Sequence, residues 1–291
     1  MNAFTIKDLE NISGIKAHTI RMWEQRYGFL KPQRTETNIR HYCNEELKTI
    51  LNIALLNKNG YKISQIDKMC QDEICSKILG LQASEAIHER VVNELIKDMV
   101  DLKIQEFEQT LGHYINEHGL EDAVREIIFP FLEKIGILWQ TGHIMPAQEH
   151  FVTSIIRQKL IVAIDQVPVS RDSETCILFL PEGEHHELGL LFLHYLLKSQ
   201  GKKVVYLGAN VPTRDVHSIV DTLKPDMAFI HLTGTCPNFS FDKLLRFLQE
   251  KIPGLVTIIS GYPTQCYHKE IPPSVQLKRS FPEMMEFISK L

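Results

Sequence analysis

The sequence predicts a multidomain chain of three parts: an all-α head with a short hairpin wing, a four-helix bundle, and an α/β domain built on a parallel sheet. Three observations carry this. In the first seventy residues, short helical patterns separated by turn residues are followed by two short basic segments. Residues 84–166 hold apolar residues at helical spacing with short links. From residue 176 onward, short apolar runs alternate with helical patterns, the signature of strands in a parallel sheet. A chain of 291 residues is long enough for two or three domains that each bury a core. The divisions fall at 1–75, 80–168 and 173–291.

Composition narrows the function classes. No apolar run reaches the roughly 18 residues of a membrane span, and the start of the chain lacks a basic-then-apolar signal layout. The cysteines at 43, 70, 75, 176, 236 and 266 form no C-x-x-C pair, so reduced thiols and a cytoplasmic location are expected. The net charge of −4 divides unevenly, with +4 over residues 1–70 and −8 over the remainder. That division points to a head facing nucleic acid on an acidic body. Neither H-E-x-x-H nor G-x-S-x-G occurs, so nothing speaks for an enzyme.

In the head, residues 4–12 have helical spacing with Thr5 as the cap, and Ser13-Gly14 makes a tight turn. A second helix, 18–26, follows at helix-turn-helix distance; it places Ile20 and Trp23 inward and Arg21 and Arg26 outward. Such a helix enters a major groove by its N-terminal side chains, while basic residues take phosphates. The segments Lys31-Pro-Gln-Arg34 and Asn38-Ile-Arg-His-Tyr42 read as a basic wing, and a third helix begins near Asn44. The pattern T-I-R-x-W-E-x-R-Y-G, with P-x-R and R-x-Y after it, resembles the winged helix-turn-helix head of MerR-family transcription regulators. The resemblance implies double-stranded DNA as partner, with Lys16, His18, Thr19 and Arg21 near it and Arg34, Arg40 and Tyr42 on the wing. It also implies a dimer on a near-palindromic operator.

Helices are expected at 84–99, 103–117, 120–136 (bent at Pro130) and 148–166, and Trp139, Glu149 and His150 flank the last junction. A Trp offers a flat stacking face and a carboxylate accepts ribose hydroxyls. On these residues alone, plain core packing for Trp139 and a favourable helix-start charge for Glu149 are the preferred reading.

In the last part, strands are expected at 176–180, 203–207, 228–232, 255–259 and 275–277, with helices at 190–198, 213–223, 241–251 and 282–289. The loop Pro-Glu-Gly-Glu-His-His-Glu-Leu-Gly, residues 181–189, falls at the carboxyl end of the first strand, where open α/β sheets bind ligands. His186 can ligate a metal there, with Glu184 orienting its ring; a solvated histidine is the plain alternative. The run Leu207-Gly-Ala-Asn-Val-Pro212 reads as the loop after the second strand.

The spacing of Glu184, His186 and Gly189 resembles the D/E-x-H-x-x-G signature of Rossmann-like (flavodoxin-like) cobalamin-binding domains. Taken with W-x(9)-E-H and the head, the order of motifs resembles CarH/LitR-type photoreceptor repressors and covers nearly the whole chain. The resemblance implies adenosylcobalamin as cofactor, with its cobalt on His186, and Trp139, Glu149 and His150 around the adenosyl group. Thr233 and Gly261 would line the slot for the nucleotide tail. It further implies a repressor whose dimer or tetramer responds to the cofactor and to light. Three positions depart from the pattern. Gln140 stands where light-sensing relatives have a cobalt-capturing His, with His143 three residues on. His231 stands where Ser is usual, and Tyr262 replaces a Gly. A DNA-binding regulator with a cofactor-free pocket is therefore the rival reading.

Overall fold

The computed structural model describes residues 3–36, 38–140, 142–168, 173–233 and 239–291. The chain divides into two compact units, Met1–Ile156 and Arg157–Leu291.

The first unit is helical apart from a two-stranded wing. Helix α1 (Ile6–Ser13) starts in a capping box, with Thr5 accepting from the Asp8 N–H and the Asp8 side chain accepting from Thr5, and it ends at Gly14 with φ 74°. Helix α2 (Ala17–Arg26) buries Ile20 and Trp23, as its spacing requires. Strands β1 (Gln33–Arg34) and β2 (Arg40–His41) pair antiparallel as the wing. Helix α3 (Asn44–Lys58) buries a long apolar row from Leu47 to Leu56. The short helices α4 (Ile63–Ile66) and α5 (Gln71–Leu79) were not foreseen; neither is long enough to show a clear apolar period.

Helices α6 (Ser84–Val100) and α7 (Ile104–His118) follow within two residues of their expected ends. The next pattern is split into α8 (Leu120–Ala123), a π-helical turn Val124–Ile128, and α9 (Phe129–Gln140). Pro130 has no N–H to give, and its ring crowds the carbonyl four residues back; a wider turn just upstream relieves both faults. The predicted bend is thus a change of helix type. Helix α10 (Pro146–Gln166) completes the series, and the division between the units falls within it. Phe107, Phe131 and Phe151 cluster edge-on inside the first unit.

The second unit is a five-stranded parallel sheet in the order β4-β3-β5-β6-β7. Its strands are β3 (Thr175–Pro181), β4 (Lys203–Val211), β5 (Met227–Leu232), β6 (Val256–Gly261) and β7 (Val275–Lys278). The helices are α11 (Leu188–Ser199), α12 (Thr213–Leu223), α13 (Phe241–Lys251), α14 (Tyr262–Cys266) and α15 (Phe281–Ser289). Alternate residues of each strand face opposite ways. Ile177, Phe179, Ala228, Ile230 and Leu232 share a core with Val216 of α12 and Leu244, Leu245 and Leu248 of α13. On the other face, Phe229 meets Phe287 of α15, and His231 meets Gly189 of α11. Burial on both faces explains why the strands read as unbroken apolar runs.

One strand departs from its expected span by more than two residues. β4 continues through Leu207–Val211, a stretch that reads as a loop. Asn210 is the reason: its N–H donates to the Glu184 carbonyl (2.9 Å) and its side-chain oxygen accepts from the Gly183 N–H (2.9 Å), tying the strand end to the loop after β3.

His194 of α11 stacks on Tyr206 of β4, with ring centroids 5.3 Å apart. Burial first, and nearby Lys198 second, push its imidazole down to about 4 from 6.5. The unfolded chain therefore binds the extra proton as pH falls from about 6.5 towards about 4, and the folded chain resists it. Stability should be full above that window and decline within it by up to about 1.4 kcal/mol per pH unit from this group. His194→Gln should flatten that part of a stability–pH curve measured by urea unfolding; an unchanged slope would contradict the assignment.

Candidate functional site

The loop between β3 and α11 is built around one carboxylate. Glu184 is 1% exposed, and its Oε1 accepts from the His185 N–H (2.9 Å), the His186 N–H (3.0 Å) and the His186 Nδ1 (2.6 Å). Burial by itself would raise this carboxyl, but the hydrogen bonds from His186 and His185 outweigh it and hold it below its usual range. With the Nδ1 proton given to Glu184, the His186 Nε2 lone pair is the one suited to a metal. The His186 side chain is 60% exposed.

A second set of contacts fixes the loop's far end. Glu187 accepts from Tyr206 Oη (2.9 Å) and pairs with Arg157 (3.0 Å). Neither partner was foreseen, because both come from distant sequence; the Glu beside the histidines was the available signal. Thr233 Oγ1 lies 3.4 Å from the His186 carbonyl oxygen, at the end of β5.

Two glycines mark close approaches. A Cβ on Gly189 would lie 2.2 Å from His231 Cδ2, and one on Gly261 would lie 1.9 Å from the Leu232 carbonyl oxygen. Gly261 also has φ 102°, so only glycine fits there without strain. The His231 imidazole thus lies flush against the first turn of α11, and its Nδ1 is 2.9 Å from Ser260 Oγ. Burial pushes it down to about 4, so it is neutral near pH 7. Tyr262, which replaces a Gly of the pattern, is 54% exposed at the start of α14.

In the first unit, Trp139 is 55% exposed near the end of α9, while Glu149 is half-buried and His150 exposed near the start of α10. Core packing of Trp139 is thereby excluded within this unit. The junction is firm: α9 closes with Gly142 N–H on the Trp139 carbonyl and His143 N–H on the Leu138 carbonyl, and Gly142 has φ 73°. Gln148, which sequence reading passed over, is 1% exposed and donates to the carbonyls of Met99 and Val100, anchoring α10 on the end of α6. The Gln140 side chain lies outside the described residues. His143 faces the head instead: its Nδ1 is 3.2 Å from Oδ2 of the fully buried Asp8, and its ring is 6.4 Å from Phe4.

In the head, Lys16, His18 and Arg21 are exposed and Thr19 is half-buried on the first turns of α2. Arg34 is exposed on the wing, where its guanidinium donates to Asn38 (2.6 Å). Two wing residues meet one carboxylate of α2. Tyr42 is 0% exposed and its hydroxyl donates to Glu24, and Arg40 pairs with the same carboxylate at 2.9 Å. Both hold the wing against α2; Tyr42 has no surface to offer DNA. Burial, with the Glu24 carboxylate second, pushes the Tyr42 phenol up. Glu24 in the W-E-x-R-Y pattern was the readable signal for this clamp.

A single imidazole with an orienting carboxylate fits a metal whose other positions come from a macrocycle. Among the described residues no group of three or more His, Cys, Asp or Glu is placed to hold an ion alone. No described helix is long and apolar enough to cross a membrane.

Residues 4–73 match the family described as MerR HTH family regulatory protein, and residues 91–163 match the B12 binding domain. Two proteins of Myxococcus xanthus are similar along most of the chain. The HTH-type transcriptional repressor CarH is 26% identical over 89% of this chain and 88% of its own. The HTH-type transcriptional repressor CarA is 28% identical over 91% and 89% respectively. Among solved structures, the monomethylamine corrinoid protein of Methanosarcina barkeri aligns with a TM-score of 0.53 at 13% identity, covering 70% of this chain and all of that one. That likeness concerns the fold.

Glu184→Gln removes the charge but keeps the shape. It should lower unfolding free energy by about 1–3 kcal/mol and shift the His186 ring nitrogens away from a pure Nδ1–H tautomer in ¹⁵N NMR spectra. Unaltered ring shifts would contradict the clamp.

Proposed function

We propose, from the premise that this chain joins a MerR-family helix-turn-helix domain to a B12-binding domain and is related to CarH- and CarA-type regulators, that it is a cytoplasmic, non-enzymatic transcription repressor. Its assembly and operator binding are controlled by adenosylcobalamin. The observation that carries the reading is the Glu184–His186 pair at the carboxyl end of β3, ahead of a helix that begins at Leu188.

In this reading His186 supplies the lower cobalt ligand, and Glu184 fixes its tautomer and aim. Bound adenosylcobalamin supplies a photolabile cobalt–carbon bond, and hence two forms of unlike shape. Trp139, Glu149 and His150 are assigned to the adenosyl group: the exposed indole for stacking, the carboxylate for ribose hydroxyls. They sit at the junction of α9 and α10, within the run of helices α6 to α10 of the first unit. Thr233 and Gly261 border the crevice beside β5. A switch needs only unequal affinity of the two cofactor forms for two assemblies, dimer and tetramer among them.

At the other end, Lys16, His18, Thr19 and Arg21 meet base edges and phosphates of a near-palindromic duplex, with Arg34 on the backbone. Arg40 and Tyr42 act through the wing they brace. The cofactor-free regulator remains the second reading, and the His231 ring packed on Gly189 is the observation that favours it.

The test is the size and colour of the protein with adenosylcobalamin, in darkness and after green light. The reading expects a coloured, larger assembly in darkness that reverts on illumination, and a His186→Ala variant that does neither. A colourless wild-type protein of unchanged size would favour the cofactor-free reading. Affinity for DNA should also fall steeply with salt, and Arg34→Ala should reduce the slope of log K against log salt by roughly one.

A further inference from the structure

The strand order β4-β3-β5-β6-β7 reverses direction between β3 and β5, and the crevice for ligands opens at the carboxyl ends of those two strands. In this chain that crevice has a plug. His231 projects from β5 toward α11, with ring atoms where a Gly189 side chain would begin, and Ser260 of the next strand holds its Nδ1 at 2.9 Å. Its neutrality, imposed by burial, suits a packed ring rather than a charged surface group.

The plug matters because of how a complete cobalamin is made. Its corrin ring carries a nucleotide loop ending in a benzimidazole base on the lower face. If His186 takes the lower position on the metal, that base must leave it and find room on the protein side. The place this fold offers is the crevice at the carboxyl ends of β3 and β5, where an imidazole with a hydrogen-bond partner already packs. A corrinoid without the nucleotide loop makes no such demand.

We propose that His231 sets the corrinoid specificity of this chain, closing the crevice so that corrinoids lacking the nucleotide base bind at least as tightly as complete cobalamin. This rests on the cofactor reading above and adds to it which member of the class is preferred. Gly189 has the complementary part: without a side chain, it lets the imidazole seat against the helix.

The test compares binding of adenosylcobalamin and adenosylcobinamide, which lacks the base, to the full-length wild-type protein in darkness by titration calorimetry. The two should bind equally, or cobinamide more tightly. His231→Ser should tighten cobalamin about tenfold, equivalent to about 1.4 kcal/mol, while leaving cobinamide unchanged, which also shows that the variant is folded. His231→Phe refills the crevice and should restore the wild-type ratio. Wild-type protein that prefers cobalamin tenfold or more, or a ratio that His231→Ser does not move, overturns the assignment and leaves the cofactor reading standing. If neither corrinoid binds wild type or His231→Ser, the cofactor reading itself fails, and this inference falls with it.

Discussion

One oxygen atom of Glu184 organises the loop that joins β3 to α11. It is buried and takes three hydrogen bonds, two from consecutive backbone N–H groups and one from the His186 ring. A buried carboxylate is costly unless fully paired, so the backbone of 184–186 and the ring orientation are set together. Asn210 fastens the same loop to β4, and Arg157 and Tyr206 fasten Glu187. The imidazole is therefore held in place before any ligand arrives. Such preorganisation is what a binding site needs if ordering is not to consume its affinity.

The same device recurs in the first unit. Glu24 collects Arg40 and Tyr42 and so locks the wing to α2. Asp8 caps its own helix through Thr5 and faces His143 across from α1. That second contact joins the DNA-binding head to the junction that bears Trp139, Glu149 and His150. Lys48 with Asp101 and Lys97 with Asn52 add further ties between α3 and α6 or its end. Head and helices thus belong to one compact unit.

Much of this was legible from residue order. The alternation of apolar runs and amphipathic stretches marks the five strands and the long helices among them, because parallel strands buried on both faces have no polar side to interrupt them; the short α14 carried no such signal. The E-x-H-x-x-G spacing was readable as a carboxylate set to orient an imidazole two residues on, and Glu184 does meet the His186 ring; the burial of Glu184 was not readable. Features resting on distant partners were not readable. Nothing local tells that Asn210 reaches back to Gly183, that Tyr42 turns inward to Glu24, or that Gln148 seals α6. The π-helical turn before Pro130 was half visible, as a fault in a helix pattern without its remedy. His231 stood out by its position, but its seat against Gly189 needs the β3–β5 neighbourhood that only the folded sheet provides.

The measurement closest to the heart of the account is electron paramagnetic resonance of the protein with cob(II)alamin, comparing histidine at natural abundance with ¹⁵N-histidine. If His186 holds the cobalt, the superhyperfine pattern should change from three lines to two on labelling, and His186→Ala should lose that dependence on the label. A pattern indifferent to the label, showing the cofactor's own base still on the metal, would contradict it.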